Sequence, residues 1–139
     1  MRATASRELL APVGDVWRFL AEPYHLADWW PGISGVEPDR RGLAAGARWR
    51  VVGSARAGLL RRPRAEQLLL VRAVEPRRLV AWHLTGDRLD AVVRLEPLGP
   101  DRTLATVTVE AALVAGARRT LARRAVGRLY DLCQTAASL

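Results

Sequence analysis

The 139-residue chain is half hydrophobic and about a quarter charged, which predicts one soluble globular domain over residues 1–139. Its apolar runs are too short for a membrane span or a signal peptide, and its single cysteine, Cys133, excludes an internal disulfide, so we expect a cytoplasmic protein. The formal charge of +8 comes from scattered arginines without any lysine, which is typical of a solvated surface rather than a nucleic-acid footprint.

The chain begins with a predicted strand and a short helix. Residues 3–10 form the strand, and Pro12 takes the first position of the helix, where its missing N–H costs nothing. Four apolar side chains then share one helix face: Val13, Val16, Trp17 and Leu20. Trp17 lies on this regular stripe and is expected to be a core residue.

A second short helix is predicted from Pro23 to Trp30. It ends there because Pro31 disfavours helical geometry in the residue before it. Trp29 and Trp30 are neighbours at this helix end, so we expect one indole to pack inward and the other to lie nearer the surface, where it could form a pocket rim. His25 in the same helix is expected to be exposed.

The middle of the chain is predicted to be a run of antiparallel strands, because the connections between them are short. One strand has Ala47, Trp49 and Val51 on its buried face. A strand at 89–96 alternates in the same way, and a β-branched strand follows at 103–111.

Two further strands, at 64–74 and 79–85, are apolar on both faces. In the second, either Trp82 and its alternate neighbours face the core, or His83 and its neighbours do, and both alternatives stay open. The irregular stretch 53–64 is interpreted either as a mobile flap over a cavity mouth or as part of a hairpin.

The last segment, from about residue 115 to 138, is predicted to be one long helix with an alanine-rich buried face. Its apolar arc consists of Leu121, Ala122, Ala125, Val126, Leu129, Leu132, Cys133 and Ala136. We expect this helix to close over the sheet, where its small side chains either let it sit close or leave a space. The order of the elements predicts an α+β fold.

Several local motifs appear in a recognisable order. They are Ala11–Pro12 with Asp15–Val16–Trp17, Asp28–Trp29–Trp30–Pro31, Gly46 before the third strand, Glu96–Pro97 before a turn, and the long terminal helix. Together they resemble the helix-grip fold of the START-domain and birch-pollen-allergen superfamily (SRPBCC), and within it the bacterial polyketide cyclase/dehydrase and lipid-transport branch.

The resemblance implies an antiparallel sheet of about seven strands curved around the terminal helix, after two short helices that follow the first strand. It also implies a hydrophobic or amphipathic small molecule, lipid-like or polyketide-like, held in a cavity between the sheet and that helix. Binding or transport of such a molecule is the leading hypothesis. A polyketide aromatase/cyclase- or dehydrase-like enzyme and an interaction module without a ligand are the alternatives, since a fold alone does not fix a function.

The ligand-binding candidates are aromatic and apolar residues that the patterns place inside the fold. They are Trp30, Trp49, Val51, Trp82, Val93, Ala125 and Leu129. The alternative that such residues only fill the core stays open, because aromatic side chains dominate cores as readily as pockets.

His83 and Arg72 are the catalytic candidates. His83 is the only histidine within a predicted strand, and it would polarise a ligand carbonyl only if it faced inward. Arg72 stands between Leu70 and Val74 on one strand face, where burial would require an anionic partner. An exposed strand face is the simpler interpretation of this arginine.

No metal site and no cofactor are expected. The two histidines and the single cysteine lack the spacing of metal ligands. Glycine-rich phosphate-binding loops and a nucleophile elbow are missing from the sequence. The oligomeric state and the identity of the ligand do not follow from these patterns.

Overall fold

The computed structural model describes residues 2–53, 66–111 and 115–137. Its strands are β1 (Arg2–Leu9), β2 (Ile33–Glu37), β3 (Arg48–Gly53), β4 (Glu66–Glu75), β5 (Leu79–Leu84), β6 (Leu89–Gly99) and β7 (Arg102–Ala111). Its helices are α1 (Val13–Ala21), α2 (Leu26–Trp29), which follows a 3₁₀ turn at Pro23–His25, and α3 (Ala115–Ala137). Apart from Gly53, the stretch 53–64 that was interpreted as a flap or a hairpin lies outside the described residues.

The strands of the described ranges form one antiparallel sheet in the order β1-β7-β6-β5-β4-β3-β2. β1 pairs with β7, and the strands from β2 to β7 are each hydrogen-bonded to the next one along the chain. β1 and β2 therefore lie at opposite edges, and the α1–α2 segment runs from one edge to the other. This is the α+β helix-grip architecture that the resemblance predicts.

The register settles which face of the two ambiguous strands points inward. Leu69 and Val71 of β4 are buried, and Val71 lies directly opposite the buried Trp82 of β5. His83, the next residue of β5, lies opposite Leu70 of β4. Since successive side chains of a strand alternate, Trp82 faces the core and His83 faces outward.

Trp29 and Trp30 are both buried, so the prediction that one of them lies near the surface is wrong. The helix ends at Trp29, and Trp30 has extended backbone angles, with φ −82° and ψ 120°. Pro31 explains this break, because its ring disfavours helical geometry in the residue before it. Neighbouring residues of a continuous helix point about 100° apart, but here the break turns both indoles toward the core.

The helix α3 packs against β1 and β7 and contacts α2. Its buried side chains agree with the predicted arc: Leu121, Ala122, Ala125, Val126, Leu129 and Cys133. At its outer flank the guanidinium carbon of Arg7 in β1 lies 3.9 Å from the ring centroid of Tyr130, a cation–π contact. In the described part of the chain, every helix is too short or too polar to cross a bilayer.

Arg88 lies in the turn between β5 and β6 and has a left-handed backbone, with φ 51°. This conformation costs a residue with a Cβ about 1–2 kcal/mol, whereas glycine adopts it freely. We expect Arg88→Gly to leave the free energy of unfolding unchanged or to raise it by up to about 1 kcal/mol, because glycine also increases the entropy of the unfolded chain. Urea unfolding measures the change.

Arg94→Gly is the matched control, because Arg94 is also exposed but lies in the extended strand β6. This variant is expected to lower the free energy of unfolding by about 0.5–1 kcal/mol. An equal loss at both positions would contradict the strain assigned to Arg88.

Cys133 is buried in α3, and this burial, together with the nearby Asp15 carboxylate, raises the pKa of its thiol to about 11. The thiol of the unfolded chain has a pKa near 9. Between pH 9 and pH 11 the thiol is therefore ionised in the unfolded state but still protonated in the folded state. We expect this group to lower stability as pH rises through that window, by on the order of 1 kcal/mol per pH unit. In urea unfolding at pH 8 to 10.5, Cys133→Ala should flatten the slope, and parallel profiles would contradict the prediction.

Candidate functional site

Three tryptophans meet on the inner face of the sheet and form what we call the tryptophan cluster: Trp29, Trp30 and Trp82. The ring centroids lie 5.2 Å apart for Trp30 and Trp82, 5.6 Å for Trp29 and Trp30, and 6.0 Å for Trp29 and Trp82. All three pairs are close to edge-to-face, an arrangement that adds about 0.5–1.5 kcal/mol per pair beyond the burial of area. Through the cluster, the C-terminal end of α2 packs against β5, the central strand of the sheet.

A small pocket adjoins this cluster. Its lining consists of Leu20, Glu22, Leu26 and Trp29 from the α1–α2 segment, Leu43 from the β2–β3 loop, and Trp49, Leu69, Val71, Val80 and Trp82 from β3 to β5. The space inside amounts to about 10 Å³, roughly what one water molecule needs. Pockets that hold drug-sized ligands measure about 300–1,000 Å³, so the pocket is closed in this conformation.

Two of the seven predicted ligand-binding residues, Trp49 and Trp82, line this pocket. The other five are buried in the surrounding core: Trp30, Val51, Val93, Ala125 and Leu129. The lining includes no residue of α3, because this helix lies over β1 and β7 at the other end of the strand order. The pocket thus lies between the α1–α2 segment and the sheet, and not under the terminal helix as expected.

The β2–β3 loop, residues 38–47, covers the pocket with the half-buried side chain of Leu43. Nε1 of Trp49 donates a hydrogen bond to the carbonyl oxygen of Gly42 at 2.9 Å, next to Leu43 in the chain. Trp49 therefore lines the pocket and also hydrogen-bonds to the loop that covers it. Leu43 lies in a loop without apolar periodicity, so sequence patterns gave no signal for it.

The carboxylate of Asp39 closes the base of the same loop. It accepts hydrogen bonds from the backbone N–H groups of Arg41, at 3.0 Å, and of Arg48, at 2.9 Å. The bond from Arg48 is the main cause that lowers the pKa of the Asp39 carboxyl. Because the two donors are seven residues apart in the chain, the ionised carboxylate holds both ends of the loop together.

The two catalytic candidates lie away from the pocket. Nδ1 of the outward-facing His83 lies 2.9 Å from Oδ1 of Asp90 on the neighbouring strand β6. Arg72 is exposed at an irregularity of β4, where the register with β5 shifts between Val71 and Ala73. Neither side chain lines the pocket, and the described residues contain no group of three or more potential metal ligands.

A wider cleft lies beside the β4–β5 turn, where β5 begins, and has a volume of about 750 Å³. Its rim carries charges of both signs: Glu75, Arg77, Arg78, Arg94 and Glu96. These side chains are exposed, so the cleft does not exclude water. The tryptophan-lined pocket is the better candidate site, because its lining is largely apolar and enclosed.

Comparison with known families agrees with this architecture. Residues 1–135 match the model of a family described as polyketide cyclase/dehydrase and lipid transport. The chain belongs to this family. The resemblance drawn from the sequence motifs is thereby confirmed. A comparison with curated proteins finds no match.

Solved structures with the same fold span bacterial proteins of several kinds. XoxI from Bacillus cereus superposes with a TM-score of 0.73 at 11% identity, covering 98% of this chain and 97% of that one. A START superfamily protein from Mycobacterium smegmatis gives 0.70 at 14% identity, covering 99% and 97%. BexL, a di-domain ARO/CYC from the BE-7585A biosynthetic pathway, gives 0.74 at 15% identity, covering 100% of this chain and 48% of BexL. At such identities the likeness shows the fold alone.

Proposed function

We propose that this protein binds a hydrophobic or amphipathic small molecule at the tryptophan cluster, between the α1–α2 segment and the inner face of β3 to β5. The observation that carries the proposal is the lining of the pocket beside this cluster. Nine of its ten residues are apolar, and three of them are tryptophans: Trp29, Trp49 and Trp82. Membership of a family described by polyketide chemistry and lipid transport supports it.

Ligand entry requires the pocket to expand, since about 10 Å³ is far below the volume of a small organic molecule. The Gly42–Leu43 part of the β2–β3 loop is the part of the lining that moves at least cost, because it contributes a single half-buried side chain, Leu43. Its displacement breaks the hydrogen bond from Trp49 to Gly42 but leaves the backbone bonds of Gly46 and Ala47 to Val71 of β4 in place. The ligand then stabilises an open conformation, and the cost of opening reduces its apparent affinity.

The binding proposal is tested directly on the purified protein. Native mass spectrometry and organic extraction are expected to reveal a retained apolar molecule. Titration with Nile red, a neutral dye that fluoresces in apolar surroundings, is expected to saturate at one dye per chain. The absence of a retained molecule together with the absence of saturable dye binding would contradict the proposal.

Leu43→Ala is expected to strengthen Nile red binding several-fold and to speed association, because it shortens the side chain that closes the pocket. Stopped-flow fluorescence measures the rate and equilibrium titration the affinity. Leu98→Ala is the matched control, since Leu98 is exposed near the end of β6 and does not line the pocket. Equal affinities for the two variants and the unmodified protein would show that Leu43 does not restrict entry.

The alternative function considered from the sequence, a cyclase- or dehydrase-like enzyme, requires a polar group beside the ligand. His83 and Arg72, the residues suggested for this role, lie outside the lining, and Glu22 is the one ionisable residue within it. The carboxylate of Glu22 accepts a hydrogen bond from the backbone N–H of Tyr24 at 3.4 Å and so caps the 3₁₀ turn. These positions favour binding over catalysis as the function of the pocket.

A further inference from the structure

Two indole N–H groups of the tryptophan cluster have no acceptor. Nε1 of Trp30 and Nε1 of Trp82 are buried, and neither donates a hydrogen bond within the described part of the chain. Trp30 is 0% exposed and Trp82 is 4% exposed. Their rings pack edge-to-face with centroids 5.2 Å apart, so both unpaired donors belong to one small region of the core.

Unpaired donors of this kind are costly. A buried polar group without a partner has lost its hydrogen bonds to water without replacement, and such groups are few in native structures. Trp49 shows the usual arrangement, because its Nε1 donates to the carbonyl oxygen of Gly42 at 2.9 Å. Phenylalanine at positions 30 and 82 would avoid this cost, although its smaller ring would leave space unfilled. The indoles fill the volume, but their N–H groups stay without a partner in the closed pocket.

We propose that Trp30 and Trp82 donate hydrogen bonds to an oxygen acceptor of the bound ligand. The inference rests on the proposed function, and it is connected to the pocket through Trp82, which both carries an unpaired N–H and lines the pocket. A carbonyl oxygen has two lone pairs and can accept from two donors. The ligand class is therefore a molecule with an apolar body and a ketone, ester or amide carbonyl.

The lining selects a neutral acceptor over a carboxylate or a phosphate. Glu22 is the one ionisable residue among the ten that line the pocket, and none of the ten is an arginine or a histidine. An anionic ligand would lose its hydration in this apolar lining without a cation to balance its charge, and the exposed Glu22 offers none. A neutral carbonyl avoids this cost and still satisfies the two indole donors.

A matched pair of neutral probes tests the inference on the unmodified protein. 2-Acetylnaphthalene and 2-isopropylnaphthalene have nearly the same shape and differ in the carbonyl oxygen. The ketone is better hydrated than the hydrocarbon, so the ratio of the two affinities is compared with the ratio of the two water-to-alkane partition coefficients. We expect the ketone-to-hydrocarbon affinity ratio to exceed this partition ratio about tenfold, because the indole N–H groups provide a hydrogen bond that an alkane lacks. 2-Naphthoate is the anionic probe and is expected to bind more weakly than the ketone.

Nitrogen-15 NMR identifies the donors. The chain has five tryptophans, and each has one indole N–H resonance. Binding of the ketone should move the Trp30 and Trp82 resonances downfield, as hydrogen bonding does, and leave the Trp49 indole shift nearly unchanged. The hydrocarbon should bind without this downfield change.

Single substitutions by phenylalanine provide the assignments and a second readout. Trp30→Phe and Trp82→Phe keep an aromatic ring and remove the N–H, so each should lower the ketone-to-hydrocarbon affinity ratio, and the double variant should bring it close to the partition ratio. Trp49→Phe is the matched control, because Trp49 lines the same pocket but already has an acceptor. It should preserve the ratio even if it weakens the binding of both probes.

The outcomes separate the two proposals. A ketone-to-hydrocarbon affinity ratio no higher than the partition ratio, together with unmoved indole resonances, would overturn the carbonyl inference and leave ligand binding intact. Failure of both probes and of Nile red to bind would overturn both proposals. NMR cross-peaks between water and both indole protons in the free protein would show that water already accepts their hydrogen bonds. If these cross-peaks and the indole shifts did not change when ketone is added, the carbonyl inference would also be overturned. Should a variant not fold, the two-probe titration of the unmodified protein still decides.

Discussion

The packing of three tryptophans between α2 and β5 is the constraint on which the inner face of the sheet depends. Pro31 produces it, because it holds Trp30 in an extended conformation and so turns two neighbouring indoles toward Trp82. A buried aromatic side chain removes about 200 Å² from water, or roughly 5 kcal/mol each as an upper value. One proline thus determines where two of the five tryptophans of the chain are placed.

The two halves of the inner face are filled by different means. On the side of β1 and β7, the alanine-rich face of α3 lies directly on the strands. On the side of β3 to β5, the short α2 contributes bulky indoles, and the β2–β3 loop completes the cover. Close approach of a helix leaves little room between the helix and the sheet, whereas rings packed at right angles leave a small gap, which lies beneath Leu43 of the β2–β3 loop. This difference explains why the pocket lies near α2.

Sequence patterns predicted the elements whose two faces differ in polarity. The strand β6 alternates apolar and charged residues, and α3 has one apolar arc, so both were identified with their buried faces. The strands β4 and β5 also carry apolar residues such as Leu68 and Leu70 on the outer face, so only the register could settle their orientation. The strand β2 was implied by the resemblance but not located by pattern, since Gly35 lies at a register shift.

The candidate site was less predictable than the fold, for a physical reason. Periodicity tells which side of a strand is buried, but the volume of a pocket depends on how particular side chains fill the space. Trp49 was expected to face inward, and it does. The sequence left both faces open for Trp82, and the register places its side chain inward. The closure of the pocket by Leu43 and the inward position of both Trp29 and Trp30 depend on a loop and on a helix break, which have no periodic signal.

Closure and the unpaired indoles together suggest how such a site discriminates between ligands. Opening the pocket costs the same free energy for every guest of a given size, so it lowers all affinities alike. The two unpaired N–H groups destabilise the free protein, and that cost is recovered only by a guest that brings an acceptor. A hydrocarbon leaves both donors unpaired and gains burial alone. In the proposed site, specificity for an acceptor would therefore arise from groups that weaken the empty fold, and not from added attraction for every apolar molecule.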